Sequence, residues 1–319
     1  MKEPFLSIVV PVYNEEYVID DFYTELKKTL EKLSKPYEIF FIDDGSTDRT
    51  FEKIKQYSAS DSNLYCISFS RNFGHQIAIY AGLKYASGEI VISMDGDLQH
   101  PPEVIPLMIE KYQEDFDIVN TKRIKQKNGF SKKYFFSGLY YKIINKFSDV
   151  KIEPDSADFR LMTRKTVNAF LEFNERDRFT RGLVSWMGFK QTVIEYKEPD
   201  RHAGTTKFGF VKMLQFALNG LTSFSSKPLR FSFYTGLIIF FLGIVYAVFA
   251  MVNYFMNTTV PGWTSILLSV LLIGGIQLLS IGIIGEYIAR IFNEAKGRPF
   301  FFIKDNTANF TDKLNNDRK

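Results

Sequence analysis

The sequence predicts an α/β fold: an open sheet of parallel strands with helices on both faces, followed by an interfacial amphipathic helix and two membrane-spanning helices. Three observations predict it. Short apolar, β-branched runs alternate with helical patterns through the first hundred residues. Each run ends in a polar cluster. No Asp, Glu, Lys or Arg occurs from Phe231 to Gly285.

Residues 6–12, LSIVVPV, have the length and β-branching of a buried strand. The polar YNEE follows, then apolar residues at Ile19, Phe22, Leu26 and Leu30 with helical spacing. YEIFFIDDGSTD (37–48) repeats the sequence of strand, acidic glycine turn and helix, the helix starting near Thr47. LYCISF (64–69) is a third strand, RNFGHQIAIYAGLKYA (71–86) a third helix and EIVISMD (89–95) a fourth strand. Such alternation implies βαβ units in an open sheet, whose ligands sit beyond the carboxyl ends of the strands. Asn14–Glu16, Asp43–Ser46, Arg71–Asn72 and Asp95–Gln99 all fall at those ends and converge on one edge. From Asp117 to Pro199 the pattern is less regular, with one further helix and strand ending in FKQTVIEYKEP.

Residues 208–224 carry apolar groups at Phe210, Met213, Leu214, Ala217, Leu218 and Leu221, the spacing of an amphipathic helix lying on a membrane surface; a buried soluble helix is the competing reading. A spanning helix needs about 20 apolar residues, so the charge-free stretch accommodates two, near Phe233–Phe255 and Thr264–Gly285, joined by MNTTVPGW. A hairpin buried in a soluble core accounts for it less well. Lys207, Lys212, Lys227 and Arg230 precede the first span, and Arg290, Lys296 and Arg298 follow the second. The positive-inside rule then puts both flanking parts in the cytoplasm and only the hairpin tip outside, with Tyr254 and Trp263 as interfacial aromatics. The boundaries expected are residues 1–207 for a catalytic domain, 208–230 for a juxtamembrane helix, 231–288 for the hairpin and 289–319 for a cytoplasmic tail. In that tail EYIARIFNEAKGRP continues as helix, FFFI is a short returning strand, and the residues after Lys304 read as loose. The single cysteine, Cys66, excludes an internal disulfide. The N-terminus lacks a signal-peptide pattern, the Asn257 sequon in a tight loop reads as chance, and a net charge of +4 gives no case for nucleic acid.

The run VISMDGDLQHPP sets Asp95 and Asp97 one residue apart at the end of the fourth strand. In extended backbone, residues i and i+2 share a face, so both carboxylates aim at one point. A hard divalent cation, Mg²⁺ or Mn²⁺, would relieve their repulsion, since such ions take one or two carboxylates completed by phosphate oxygens and water. Gln99 continues the alternation with an amide oxygen. An acidic surface turn is the bland alternative, weakened by the three other polar strand ends on the same edge. His75, His100 and His202 do not form a transition-metal ligand set and read as loop or supporting residues.

Four stretches, PVYNEE, IDDGSTD, MDGDLQHPPE and RHAGTTKF, resemble the signatures of glycosyltransferase family 2. The resemblance spans roughly residues 5–230 and is nearest to the polyprenyl-phosphate branch: bactoprenol glucosyltransferases, their aminosugar relatives and dolichyl-phosphate mannose synthases. It implies a GT-A type, Rossmann-like domain. It implies that Pro11, Tyr13 and Glu15 lie against the nucleoside, that Ile42 and Asp44 frame and hydrogen-bond the base, and that Asp95, Gly96, Asp97 and Gln99 form the metal and diphosphate site. Arg123 matches a cation near the transferred sugar or acceptor phosphate. Arg201 and Lys207 match a mobile loop closing on the phosphates, a role that Arg and Lys suit chemically. Arg178 and Arg181 are further candidates for the acceptor phosphate. Asp158 matches an acid proposed as general base, yet an acceptor phosphate has a second pKa near ~6 and needs no deprotonation before attack. Positioning of metal or sugar, or a structural ion pair with Arg160 or Arg164, are the alternatives for Asp158.

The function implied is inverting transfer of one sugar, from UDP-glucose or UDP-N-acetylglucosamine, to undecaprenyl phosphate by a multi-pass enzyme of the cell membrane with a cytoplasmic catalytic domain. A processive polysaccharide synthase would carry Q-x-x-R-W and more spans, and neither is present. A soluble acceptor leaves the spans without purpose, and a non-catalytic scaffold predicts eroded site positions. Small residues in IGGIQ and GIIG permit close helix packing, so a homo-oligomer is possible.

Overall fold

The computed structural model describes residues 4–124, 156–176, 180–197, 227–256 and 262–317. Two compact units divide them: one holds the residues up to 197 together with those from 298 on, and the other holds the two long helices.

In the first unit, strands β1 (Leu6–Val12), β2 (Tyr37–Asp43) and β3 (Leu64–Phe69) match their sequence-predicted bounds. β4 (Ile90–Ser93), β5 (Ile118–Ile124), β6 (Ser156–Thr163), β7 (Gln191–Lys197) and β8 (Ile303–Asn306) complete an eight-stranded sheet in the order β7-β5-β6-β4-β1-β2-β3-β8 among the described residues. β1 pairs in parallel with β2 and with β4, and β2 with β3. The all-parallel expectation needs correction, because β6 runs antiparallel to both β4 and β5, and β8 antiparallel to β3. The irregular stretch after Asp117 is therefore sheet, with β5 and β6 unpredicted.

Helices α1 (Ile19–Lys32), α2 (Thr50–Ser60), α3 (His75–Tyr85) and α4 (Ile105–Gln113) follow the first four strands, the last after a short 3-10 turn at Pro102–Val104. α5 (Arg164–Leu171) and α6 (Thr180–Trp186) lie between β6 and β7. α1 buries Ile19, Phe22, Leu26 and Leu30, the set read from the sequence. Two starts differ from expectation. α2 begins at Thr50, three residues after the expected start near Thr47, where the Thr50 amide donates to Asp48 Oδ1. α3 begins at His75, not Arg71, because Gly74 adopts φ 102°, which a right-handed helix does not admit.

The C-terminus corrects the expectation of a loose tail. β8 includes Lys304–Asn306, and helix α9 (Ala308–Asp317) buries Phe310 completely. Thr307 Oγ1 accepts from the Cys66 amide at 3.0 Å, and Lys313 Nζ meets the buried Glu38 carboxylate at 2.6 Å. The final residues are thus part of the first unit.

The second unit comprises α7 (Lys227–Phe255), which starts six residues before the expected span, and α8 (Trp263–Ala295), which runs through the expected span and into the helical continuation read at EYIARIFNEA. Among the described residues, Leu272–Ala295 is long and apolar enough to cross a membrane, and Ser232–Tyr246 is a shorter apolar stretch. Phe249 and Leu278 are 62% and 72% exposed, so these apolar surfaces are not those of a soluble core. The helix expected at 208–224, the tip with Asn257, and His202 lie outside the described residues.

Candidate active site

Because β1, β2, β3 and β4 are parallel neighbours, their following loops emerge on one edge. β6 enters from that edge: Ser93 pairs with Arg160, and Ser93 Oγ donates to the Asp158 carbonyl at 2.7 Å.

The loops after β1 and β2 are laced together. Asn14, in the left-handed region at φ 57°, donates its amide to Ser46 Oγ at 2.9 Å. The Glu15 amide donates to Thr50 Oγ1 at 2.8 Å and the Glu16 amide to Asp48 Oδ2 at 3.2 Å. Pro11 and Ile42 are buried and stand opposite each other in the β1–β2 register, while Tyr13 beyond them is 44% exposed. Asp44 is buried with Oδ1 accepting from the Phe73 amide at 2.7 Å and Oδ2 from the Gly74 amide at 2.9 Å. It therefore holds the loop before α3, which the sequence did not suggest. Gly45, at φ 74°, lets that loop approach: a Cβ there would meet the Arg71 backbone at 2.5 Å.

The carboxylate pair lies between these loops and β6. The Asp95 amide donates to His100 Nδ1 at 2.8 Å. His100 is fully buried, stacked on Phe159 with ring centroids 5.1 Å apart. Burial, reinforced by the Arg123 charge, pushes its pKa down to about 3, so it is the neutral imidazole that accepts this bond. Asp95 Oδ1 is buried without a hydrogen-bond donor, although His75 Nε2 stands 3.3 Å away. Burial lifts the Asp95 carboxyl to about 6, helped by Asp158 and Asp97 and opposed by His75. Gly96 is buried against Val12 and Val10. Asp97 Oδ1 accepts the Gln99 amide at 3.1 Å, and Gln99 Oε1 accepts from Arg123 Nη1 at 3.2 Å. The half-buried Glu15 carboxyl is raised to about 7, first by burial and then by the charges of Asp97, Asp48 and Asp95.

Glu15, Asp95 and Asp97 therefore repel one another in a partly dehydrated edge, and one Asp95 oxygen lacks a proton donor. That donor set fits a hard divalent cation. Among the described residues, no group of three or more His, Cys, Asp or Glu side chains is close enough to hold a metal by itself. Water or substrate oxygens would have to complete the coordination.

Asp158 lies beside this pair, 11% exposed, with His75 Nε2 at 3.8 Å from Oδ2. Arg160, buried, and Arg181 both pair with it, and Gln76 Nε2 donates to it at 3.2 Å. Burial alone would raise the Asp158 pKa, but Arg181 and Arg160 outweigh it and hold the carboxyl at about 2. The pair with Arg160 is the structural alternative that the sequence left open. Arg164 instead donates to the Gly88 carbonyl at 2.6 Å. Arg178, Arg201 and Lys207 lie outside the described residues. Gln76 was missed as a site residue, and His75 was read only as a loop or supporting residue. Their signal was the position just after Gly74, which opens α3, but the polar cluster there was read only as far as Asn72.

The chain matches the family model described as Glycosyl transferase family 2 over residues 7–171 and that of the GtrB C-terminal hairpin over residues 227–291. It is 43% identical over 303 residues to a bactoprenol glucosyl transferase of Shigella phage SfV, covering 94% of this chain and 98% of the relative. It is 42% identical over 300 residues to a prophage bactoprenol glucosyl transferase homolog of Escherichia coli strain K12, again covering 94% and 98%. An uncharacterized glycosyltransferase, YkcC, of Bacillus subtilis strain 168 is 44% identical over 299 residues, 93% of each chain.

Proposed function

The chain belongs to glycosyltransferase family 2, and from that premise we propose that it transfers one glucose from UDP-glucose to undecaprenyl phosphate, inverting the anomeric centre. The observation that carries this reading is the buried Asp95 oxygen without a donor at the strand edge, under the charges of Asp97 and Asp158. Relatives with the same two-part sequence match are named for bactoprenol glucosyl transfer.

In this reading Asp95 and Asp97 would hold Mg²⁺ or Mn²⁺, with Gln99 beside them. When bound there, it would supply positive charge to the leaving diphosphate. Tyr13 and Glu15 face the nucleoside over Pro11, with Ile42 and Asp44 on the base side and Gly96 giving the diphosphate room. Arg123, held by Gln99, is directed to the sugar and its diphosphate. Arg201 and Lys207 close on the phosphates as electrostatic partners. The acceptor phosphate, with a second pKa near ~6, attacks already ionised, received by Arg178 and Arg181. No group needs to remove a proton from it.

A polyprenyl tail stays in the hydrocarbon, so the site must be held at headgroup level. The stretch 208–224, read from its sequence as an interfacial helix, and the hairpin of α7 and α8 as two spans would supply that, with residues 1–207 and the C-terminal segment in the cytoplasm. Membranes carrying the protein, given undecaprenyl phosphate and a panel of radiolabelled UDP-sugars, test the reading. Label from UDP-glucose enters the lipid phase as a single sugar. Label confined to water-soluble product, or lipid-linked chains of several sugars, would contradict it.

A further inference from the structure

Asp158 has two oxygens and about four lone-pair directions, and every direction has a donor. Oδ1 accepts from Arg160 Nη2 at 3.2 Å and Arg181 Nε at 3.3 Å. Oδ2 accepts from Gln76 Nε2 at 3.2 Å and Arg181 Nη2 at 3.4 Å. A carboxylate used in this way has no lone pair left for a substrate proton. It is built to hold its neighbours.

The neighbour it holds in a functional orientation is Arg181. Nε and Nη2 form one edge of the planar guanidinium, and that edge faces Asp158, which directs Nη1 away from it. Arg160 is buried and cannot reach a substrate, whereas the Arg181 side chain keeps 29% of its surface exposed. The cluster of two guanidinium groups and one carboxylate carries a net positive charge, and Arg181 is its exposed member. Gln76 completes the frame. Its Oε1 accepts from Thr180 Oγ1, so its Nε2 is the end that donates to Asp158. The same amide thereby ties the first turn of α3 to the first residue of α6 and sets where Arg181, the next residue, begins.

We propose that Gln76 and Asp158 are positioning residues that hold Arg181 to receive the acceptor phosphate, so that Asp158 is not a general base. This rests on the reading of a polyprenyl-phosphate acceptor given above.

Gln76→Met keeps the side-chain volume and removes the donor and acceptor; Asp158→Asn keeps the shape and removes the charge. Each is assayed in membranes with UDP-glucose and undecaprenyl phosphate, with KM measured for both substrates, and UDP binding to the purified full-length variant reports an intact fold. The expected result is a rise of roughly tenfold or more in the KM for undecaprenyl phosphate, the scale of one hydrogen bond to a charged group. The KM for UDP-glucose and UDP binding stay within about twofold, and the acid limb of the wild-type pH–rate profile persists in Asp158→Asn. A fall of kcat with unchanged acceptor KM and a vanished acid limb would make Asp158 a base and overturn the proposal. So would an unchanged acceptor KM in Gln76→Met, or loss of UDP binding in both variants. If the wild-type protein itself places no sugar on undecaprenyl phosphate, the acceptor reading fails first and takes this one with it.

Discussion

Asp95 is the residue where sequence and environment conflict most openly: an aspartate at the end of a buried strand, one oxygen without a donor, its pKa lifted to about 6. A carboxyl raised in the folded state binds its proton more tightly there than in the unfolded chain, so it lowers stability as pH rises from 3.8 through 6. Asp95→Asn therefore raises the melting temperature of the metal-free protein at pH 7 and leaves it little changed at pH 4, which calorimetry at the two pH values measures. If Asp95 and Asp97 hold Mn²⁺ as proposed, the ion raises the wild-type melting temperature at pH 7, and Asp95→Asn loses most of that increment. The D-x-D spacing made this pair legible from the sequence alone. His100 was read only as a loop or supporting residue, because a histidine that accepts the Asp95 amide while stacked on Phe159 owes both contacts to the tertiary fold. The hold of Asp44 on the loop before α3 was hidden for the same reason: the Phe73 and Gly74 amides that donate to it lie some thirty residues away.

The elements read most faithfully were β1, β2 and β3, whose buried faces give continuous apolar runs bounded by turns. β8 and α9 were read poorly because what orders them is distant in sequence: the Thr307 contact with Cys66 spans 241 residues. Ile303, Asp305 and Asn306 pair with the β3 edge, and Phe301 stacks on Phe69 at 4.9 Å. The Ser70 amide donates to the Phe302 carbonyl at 2.9 Å, which anchors the loop leading into α3. Phe310→Ala should cost about 3–5 kcal/mol, the range for a buried Phe, and Lys313→Ala about 1–3 kcal/mol by leaving the buried Glu38 carboxylate short of a partner; denaturant titration measures both. Asp61 adds an acid-sensitive tie. Burial pushes its pKa up, but Lys27 and Tyr23 outweigh that and lower it, and its carbonyl accepts from Asn309. Its contribution is present above pH 3.8 and is lost as pH falls below it. Asp61→Asn therefore narrows the difference in melting temperature between pH 7 and pH 3.

At the scale of the molecule, the catalytic unit is interrupted in sequence, because the hairpin is inserted between residues 197 and 298 of one folded unit. Truncation at residue 226 removes β8 and α9 along with the hairpin and should give insoluble protein. Replacement of residues 227–297 by a flexible linker retains both elements and should give a folded protein that binds UDP and leaves the membrane pellet on alkaline carbonate extraction, whereas the intact chain stays in it. The charge-free stretch made the hairpin legible, since a run that long without Asp, Glu, Lys or Arg has the length of two bilayer crossings and far exceeds one buried soluble helix. The proposed reaction is sugar transfer to a lipid-borne phosphate, served by a cation that Asp95 and Asp97 would hold. The most direct measurement is radiolabel from UDP-glucose entering the lipid phase of undecaprenyl-phosphate liposomes that carry wild-type protein or Asp97→Ala, with Mn²⁺ or with EDTA. Wild-type protein with Mn²⁺ is expected to give lipid-phase label, and the variant and the EDTA sample at least a hundredfold less. Equal label from Asp97→Ala, or from wild-type protein in EDTA, would contradict that.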